Sequence, residues 1–221
     1  MRDNLKSFFQ KYKHGLLFLY ILLYMPWFAY LEKTVTTDFH VVHMVLDDYI
    51  PFIEYFIVPY LFWFFYISIG VIYFFLHNVQ GFYKLCIFLF TGMTIFLIIS
   101  TLYPNGAYLR PVTFERDNIF VDAVKLLYAS DTNTNLFPSI HVYNTIGIHL
   151  AITHCDELKN RHILVNASRI IMVLIIMSTM FLKQHSVFDV ITALGLSGIM
   201  ALVLYIPDLV KGKRTDWNTY F

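Results

Sequence analysis

Residues 56–76 read FIVPYLFWFFYISIGVIYFFL, 21 residues without a charge. At about 1.5 Å per helical residue such a stretch spans the roughly 30 Å hydrocarbon core of a bilayer. A soluble domain rarely carries so long an apolar run, and the rest of the chain points the same way. Of 221 residues 58% are hydrophobic, 19% aromatic and only 14% charged, too apolar for a water-soluble domain of this length. An all-α integral membrane protein is therefore expected.

Working outward from that stretch, the hydropathy pattern predicts a six-transmembrane-helix bundle with short interfacial helices. The spans fall at about 15–31, 55–77, 84–103, 137–154, 169–183 and 186–207, in a single membrane domain over 1–221. The fifth is the weakest, since Arg169 and Lys183 bracket only 13 uncharged residues, and a short, tilted or snorkelling span is expected there. The first follows a basic segment (Arg2, Lys6, Lys11, Lys13) but contains Pro26 and Trp27 and leads to no clear small-residue cleavage site. It reads as a retained anchor rather than a signal peptide.

The basic residues set the expected orientation. With both termini cytoplasmic, Arg2, Lys6, Lys11, Lys13, Lys84, Lys159, Arg161, Arg169, Lys211, Lys213 and Arg214 lie inside, and Lys33, Arg110, Arg116, Lys125 and Lys183 outside. This 11-to-5 bias follows the positive-inside rule. A net charge of +1 and the lack of a basic cluster interleaved with aromatics give no support to nucleic-acid binding. Cys86 and Cys155, the only cysteines, both fall near the inner face, where a disulfide is not expected. The chain as a whole suits a bacterial plasma membrane.

The chemically suggestive residues gather in two connections, 104–136 with its flanks and 183–186, which two intervening spans place on the same membrane face. Toward that face lie YPNGAYLRP (103–111), NLFPSIH (135–141) and KQHSVFD (183–189). FPSIH reads as a helix start with Pro138 at the first position, free N–H groups able to receive an anion, Ser139 as a hydroxyl donor and His141 one turn in. The simpler reading is a capped helix with an interfacial histidine. In KQHSVFD, Ser186-x-x-Asp189 has the spacing of a capping box. Alternatively, if the helix begins earlier, His185 and Asp189 are four apart on one helical face and form a pair in which the carboxylate fixes the imidazole tautomer and leaves the other nitrogen free to attack. Arg110 offers a planar fork of donors for phosphate, although lone arginines outside a span commonly meet headgroups or water. His141, His185 and Asp189 are also possible metal ligands, but Arg110 and Lys183 nearby favour an oxyanion over a divalent cation.

Taken jointly, these residues resemble the type 2 phosphatidic acid phosphatase superfamily, whose motifs are K-x6-R-P, P-S-x-H and S-R-x5-H-x3-D. The second is complete as Pro138-Ser139-Ile140-His141. The third reads Ser178-Thr179, five residues, His185, three residues, Asp189, and the first retains Arg110-Pro111. Tyr103 and Thr179 stand where the family has lysine and arginine, and Lys183 is placed to restore one of the missing cations. The altered motifs, with LDDYIPFIEYFIVPY (46–60), are similar to the branch that contains inositol phosphorylceramide and sphingomyelin synthases.

The resemblance implies a metal-independent lipid-phosphate phosphatase without a cofactor. His185 would attack phosphorus to form a phosphohistidine, Asp189 would hold the imidazole, and His141 would protonate the leaving oxygen. Arg110, Ser139 and Lys183, with the N–H groups near Ile140, would bind the phosphoryl oxygens. The expected partners are a lipid phosphate or phospholipid and the surrounding membrane lipids, and the active site would lie on the outer face. The alternative within the family is a headgroup phosphotransferase, whose acceptor site would need polar residues near His185, with Asp47, Asp48 and Glu54 as candidates. A transporter-like protein with buried His and Asp is the non-enzymatic alternative, and Pro59 is the nearest candidate for a broken helix.

Among the remaining features, 118–128 places Phe120, Val121, Val124, Leu127 and Tyr128 on one face of an amphipathic helix, and 38–50 is a candidate for another. His149 and His154 read as core hydrogen-bonding residues, and His40 and His43 as solvated. Ala193, Gly195, Ser197, Gly198 and Ala201 suit close packing of the last span.

Overall fold

A computed structural model describes residues 10–206. Arg2, Lys6, Lys211, Lys213 and Arg214 lie outside the described residues. A 3-10 segment, Lys13–Tyr20, runs into α1 (Ile21–Thr34); β1 (His40–Val41), α2 (Val45–Tyr49) and a 3-10 turn (Glu54–Phe56) follow. The chain continues as α3 (Ile57–His77), α4 (Val79–Leu102), β2 (Asn105–Gly106), α5 (Ile119–Ser130), α6 (Ile140–His154), α7 (His162–Phe181) and α8 (Val187–Leu204).

Among the described residues, five helices are long and apolar enough to cross a bilayer: Lys13–Thr34, Glu54–His77, Val79–Leu102, His162–Phe181 and Val187–Leu204. They present Phe62, Phe65 and Ile69, Ile170 and Val173, Leu194 and Ile199 on exposed surface, as lipid-facing helices do. The architecture is that of an all-α integral membrane protein. The helix expected as span four, α6, has 15 residues, about 22 Å of helix. It is the innermost element, packed on α3, α4, α7 and α8, and this explains its weak hydropathy signal: it buries Asn144, Thr145 and Gly147 against neighbours instead of presenting leucines to lipid.

The expected fifth span is corrected in length. Helix α7 begins at His162, so Arg169 lies two turns inside it, and its exposed head reaches Asn166 Oδ1 at 3.1 Å. Helix α4 likewise starts five residues before the expected position, because the Asn78 side chain accepts the Gly81 N–H at 2.7 Å and caps it. Pro59 falls in the first turn of α3 and interrupts nothing at mid-span.

The close approaches are made by glycines other than those expected. A Cβ at Gly92 would lie 2.0 Å from the Tyr143 ring, and one at Gly147 2.7 Å from Phe88. These two positions allow α4 and α6 to touch, with Tyr143 OH donating to Phe88 O at 2.8 Å and the two rings stacked 4.5 Å apart. Gly195 and Gly198 face open space, while Ala193 and Ser197 supply the buried side of α8.

The segment 38–50 is only partly helical. Residues 40–41 pair in parallel with 105–106, and the helix is the five residues of α2. His43 is exposed and lies 2.9 Å from Asp48, and His40 stacks on Tyr103. Helix α5 forms as its pattern predicts, capped by Asn118, with Val121 and Val124 buried against the bundle. His149 bonds Ser168, which also meets the buried Tyr66 hydroxyl, and Cys86 and Cys155 are buried free thiols.

Candidate active site

At one end of the bundle the connections converge. Helix α7 closes with Lys183 in the left-handed region, φ 54°, where its N–H meets Met180 O and the Gln184 N–H meets Thr179 O. The Thr179 carbonyl also receives the His185 N–H at 3.0 Å, so the end of α7 fixes where His185 leaves the chain. Helix α8 then starts at once. The Ser186 hydroxyl accepts the Phe188 N–H, and the Asp189 carboxylate accepts the Ser186 N–H at 2.8 Å, forming the capping box.

The same carboxylate serves His185. Asp189 Oδ2 lies 3.3 Å from His185 Nδ1, and both side chains are buried. The helix begins at Val187, as the capping-box reading of KQHSVFD has it, and not before His185; the imidazole contact nonetheless forms from the residue ahead of the cap, so Asp189 caps the helix and contacts His185 through one oxygen. The turn is braced from outside by Asp47, which accepts from Ser186 Oγ at 2.6 Å and from Val187 N at 2.8 Å.

His141 is delivered by the start of α6. Asn105 Oδ1 accepts the Leu136 and Phe137 N–H groups, and Ser139 caps the helix through the Val142 N–H. Pro138 therefore precedes the cap instead of opening the helix. Ser139 is fully buried, and its N–H reaches Asp189 O at 3.3 Å, tying the two histidine-bearing turns together. The His141 ring sits between Tyr60 and Trp63, at centroid distances of 4.7 and 4.4 Å, and 5.8 Å from the His185 ring.

Both histidines line a cavity of about 390 Å³. Its apolar wall comes from Tyr24, Met25 and Phe28 of α1 with Trp63 and Phe64 of α3, and its polar wall from Glu32, Asp131, Thr132 and Asn135. Glu32 is anchored by Thr132 Oγ1 at 2.7 Å and Asn135 Nδ2 at 2.8 Å. Burial pushes the Asp131 carboxyl above the ordinary carboxylate range, Glu32 adds to the rise, and Arg110 and His185 oppose it.

Of the residues expected from sequence, His141 and His185 line the cavity and Asp189 stands behind His185. Arg110 does not line it. Its guanidinium donates to Tyr128 O (3.2 Å), Asp131 O (2.8 Å), Thr132 O (2.7 Å) and Gln184 Oε1 (2.6 Å), and lies 4.6 Å over the Tyr128 ring. Lys183 Nζ donates to Asp47 O at 2.7 Å, and burial lowers its pKa against the opposing charges of Asp47 and Asp48. The candidate acceptor acids are also elsewhere: Asp47 braces α8, Asp48 meets His43, and buried Glu54 holds Arg116 and Asn118 at 3.1 Å each. Among the described residues, no three His, Cys, Asp or Glu side chains are grouped as metal ligands.

Sequence reasoning missed Gln184, Trp63, Asp131 and Glu32. Gln184 sits beside His185 in the chain and carried a local signal, whereas the others come from distant elements. No protein-family model matches the chain, and no curated protein or solved structure shows significant similarity to it.

Proposed function

We propose that the protein is a membrane-embedded lipid-phosphate phosphatase that hydrolyses a phosphomonoester or diphosphate without a metal, through a phosphohistidine on His185. The observation that carries this reading is the pair of histidines facing one cavity, one of them backed by a buried carboxylate. His185 Nδ1 held by Asp189 leaves Nε2 as the nucleophile. Its attack forms the N–P bond as the P–O bond to the leaving group breaks, the lipid alcohol of a monoester or the lipid phosphate of a diphosphate, and His141 protonates the departing oxygen. Water then attacks phosphorus, freeing inorganic phosphate and His185. Asp189 stabilises the positive charge that develops on the imidazole.

The apolar wall from α1 and α3 suits an acyl or prenyl chain, and the polar wall suits its headgroup. In this reading α6 is the fourth of six spans, short because it is enclosed by other helices, and the termini are cytoplasmic with the cavity toward the outer face of a bacterial plasma membrane. Ser139 and Lys183 remain proposed contributors to phosphate binding, whereas Arg110, held by Tyr128 O, Asp131 O, Thr132 O and Gln184 Oε1, acts from outside the cavity.

A second reading has specific support. Asp131, Thr132, Glu32 and Asn135 make the polar wall that a headgroup acceptor needs, so an alcohol can replace water as the attacking group in a phosphotransferase.

Phosphate release by the purified protein from a panel of lipid phosphates and diphosphates in EDTA tests the first reading, with His185→Ala as control. Release that the substitution abolishes supports it. No release, together with headgroup transfer from labelled phospholipid to an added alcohol, moves the conclusion to the second.

A further inference from the structure

The side chain next to His185 carries an unusual polar imbalance. Gln184 is 3% exposed and lines the cavity. Its Oε1 accepts from Arg110 Nη2 at 2.6 Å, and because a guanidinium can only donate, the amide orientation is fixed by its partner. The amide NH2 is thereby turned away from Arg110, and Nε2 is buried without an acceptor. Trp63 Nε1, on the residue that packs against His141, is also buried without an acceptor. A buried donor left unpaired costs about 1–3 kcal/mol, so two of them around one pair of histidines mark a place suited to acceptor oxygens.

Resting on the phosphoryl-transfer reading above, we propose that Gln184 Nε2 and Trp63 Nε1 are the donors that bind the phosphoryl oxygens, and that Arg110 is a positioning residue acting through Gln184. Arg110 is itself held by three carbonyls at the end of α5, so it locks the amide from behind while its charge stays outside the cavity. Neutral N–H donors in a low-dielectric site stabilise an oxyanion without the reorganisation that water requires. They occupy the role that Tyr103 and Thr179, in place of the resembled family's two cations, leave unfilled.

The test is calorimetric titration of orthovanadate, a phosphoryl analogue, into the full-length protein in detergent, freed of divalent metal over a chelating resin and kept in EDTA-free buffer because EDTA itself complexes vanadate. Wild type is compared with Gln184→Ala, Trp63→Phe, Arg110→Ala and the double variant Arg110→Ala/Gln184→Ala, each checked for folding by size exclusion and circular dichroism. Loss of one donor weakens binding about tenfold, and Arg110→Ala matches Gln184→Ala. The double variant is no weaker than Gln184→Ala alone, because the two residues act in series.

Undiminished vanadate binding in Gln184→Ala and Trp63→Phe overturns the proposal while leaving the phosphoryl-transfer reading intact. A double variant roughly 100-fold weaker than wild type, the product of two tenfold losses, overturns the role of Arg110, since it means direct contact with the anion. Wild-type protein that binds no vanadate overturns the proposal together with the reading beneath it. If Arg110→Ala does not fold, the Gln184 and Trp63 variants still decide which donors hold the anion.

Discussion

His185 Nδ1 lies 3.3 Å from Asp189 Oδ2, and that same oxygen accepts the Ser186 N–H at 2.8 Å. One carboxylate atom thus starts a transmembrane helix and orients an imidazole. Asp189→Asn separates these roles, because an amide oxygen can still cap the helix but no longer bears the charge that complements an imidazolium. Phosphoryl transfer should fall by about 10²–10⁴-fold while the folded helix content is kept. Activity within tenfold of wild type would leave Asp189 a capping residue only.

Lys183 holds a left-handed conformation that costs an ordinary residue about 1–2 kcal/mol and glycine little. Lys183→Ala and Lys183→Gly both remove the bond to Asp47 O, so their difference isolates the backbone. The glycine variant should be more stable than the alanine variant by about 1 kcal/mol, measured by denaturant titration in mixed micelles. Equal stability would mean that the turn relaxes out of this conformation.

Gly92 and Gly198 respond oppositely to a methyl group. At Gly92 the added carbon meets the Tyr143 ring, and Gly92→Ala should cost about 1–3 kcal/mol or more, with loss of the α4–α6 contact. At Gly198 the carbon meets nothing, and Gly198→Ala should be neutral or stabilising by up to about 1 kcal/mol. Thermal unfolding of the two variants compares them directly.

The Asp131 carboxyl titrates above its unfolded value because burial and Glu32 disfavour the charge. The folded state therefore binds this proton more tightly than the unfolded state, so the contribution of Asp131 to stability falls as pH rises from the unfolded to the folded pKa. Asp131→Asn removes that loss. The variant should exceed wild type in melting temperature at neutral pH, and the gap should close on acidification through the folded pKa. A gap that widens on acidification contradicts the assignment.

The apolar runs made five of the helices legible, since period and length in a bilayer leave few alternatives. Helix α6 was readable from Ser139 and the segment after it, but its interior position was not, because its apolar residues face partners that only the packing identifies. The pair His185 and Asp189 was legible because the two residues stand four apart across the start of one helix. The orientation of Arg110 was not, because the four oxygens that claim it belong to residues 128–132 and 184 and assemble only in three dimensions. Gly195 and Gly198 misled for a related reason: small residues permit a close approach, but a facing helix is needed to make one, and at α8 the partners meet Ala193 and Ser197.

In the proposed reaction His185 carries the phosphoryl group. The direct measurement is to mix full-length protein with radiolabelled lipid phosphates and diphosphates in EDTA, quench in base, and locate the label by peptide mapping. A base-stable, acid-labile phosphohistidine is expected at His185, formed more slowly in His141→Ala and absent in His185→Ala. Turnover of a lipid phosphate with no labelled histidine, or with label that survives in His185→Ala, would contradict it.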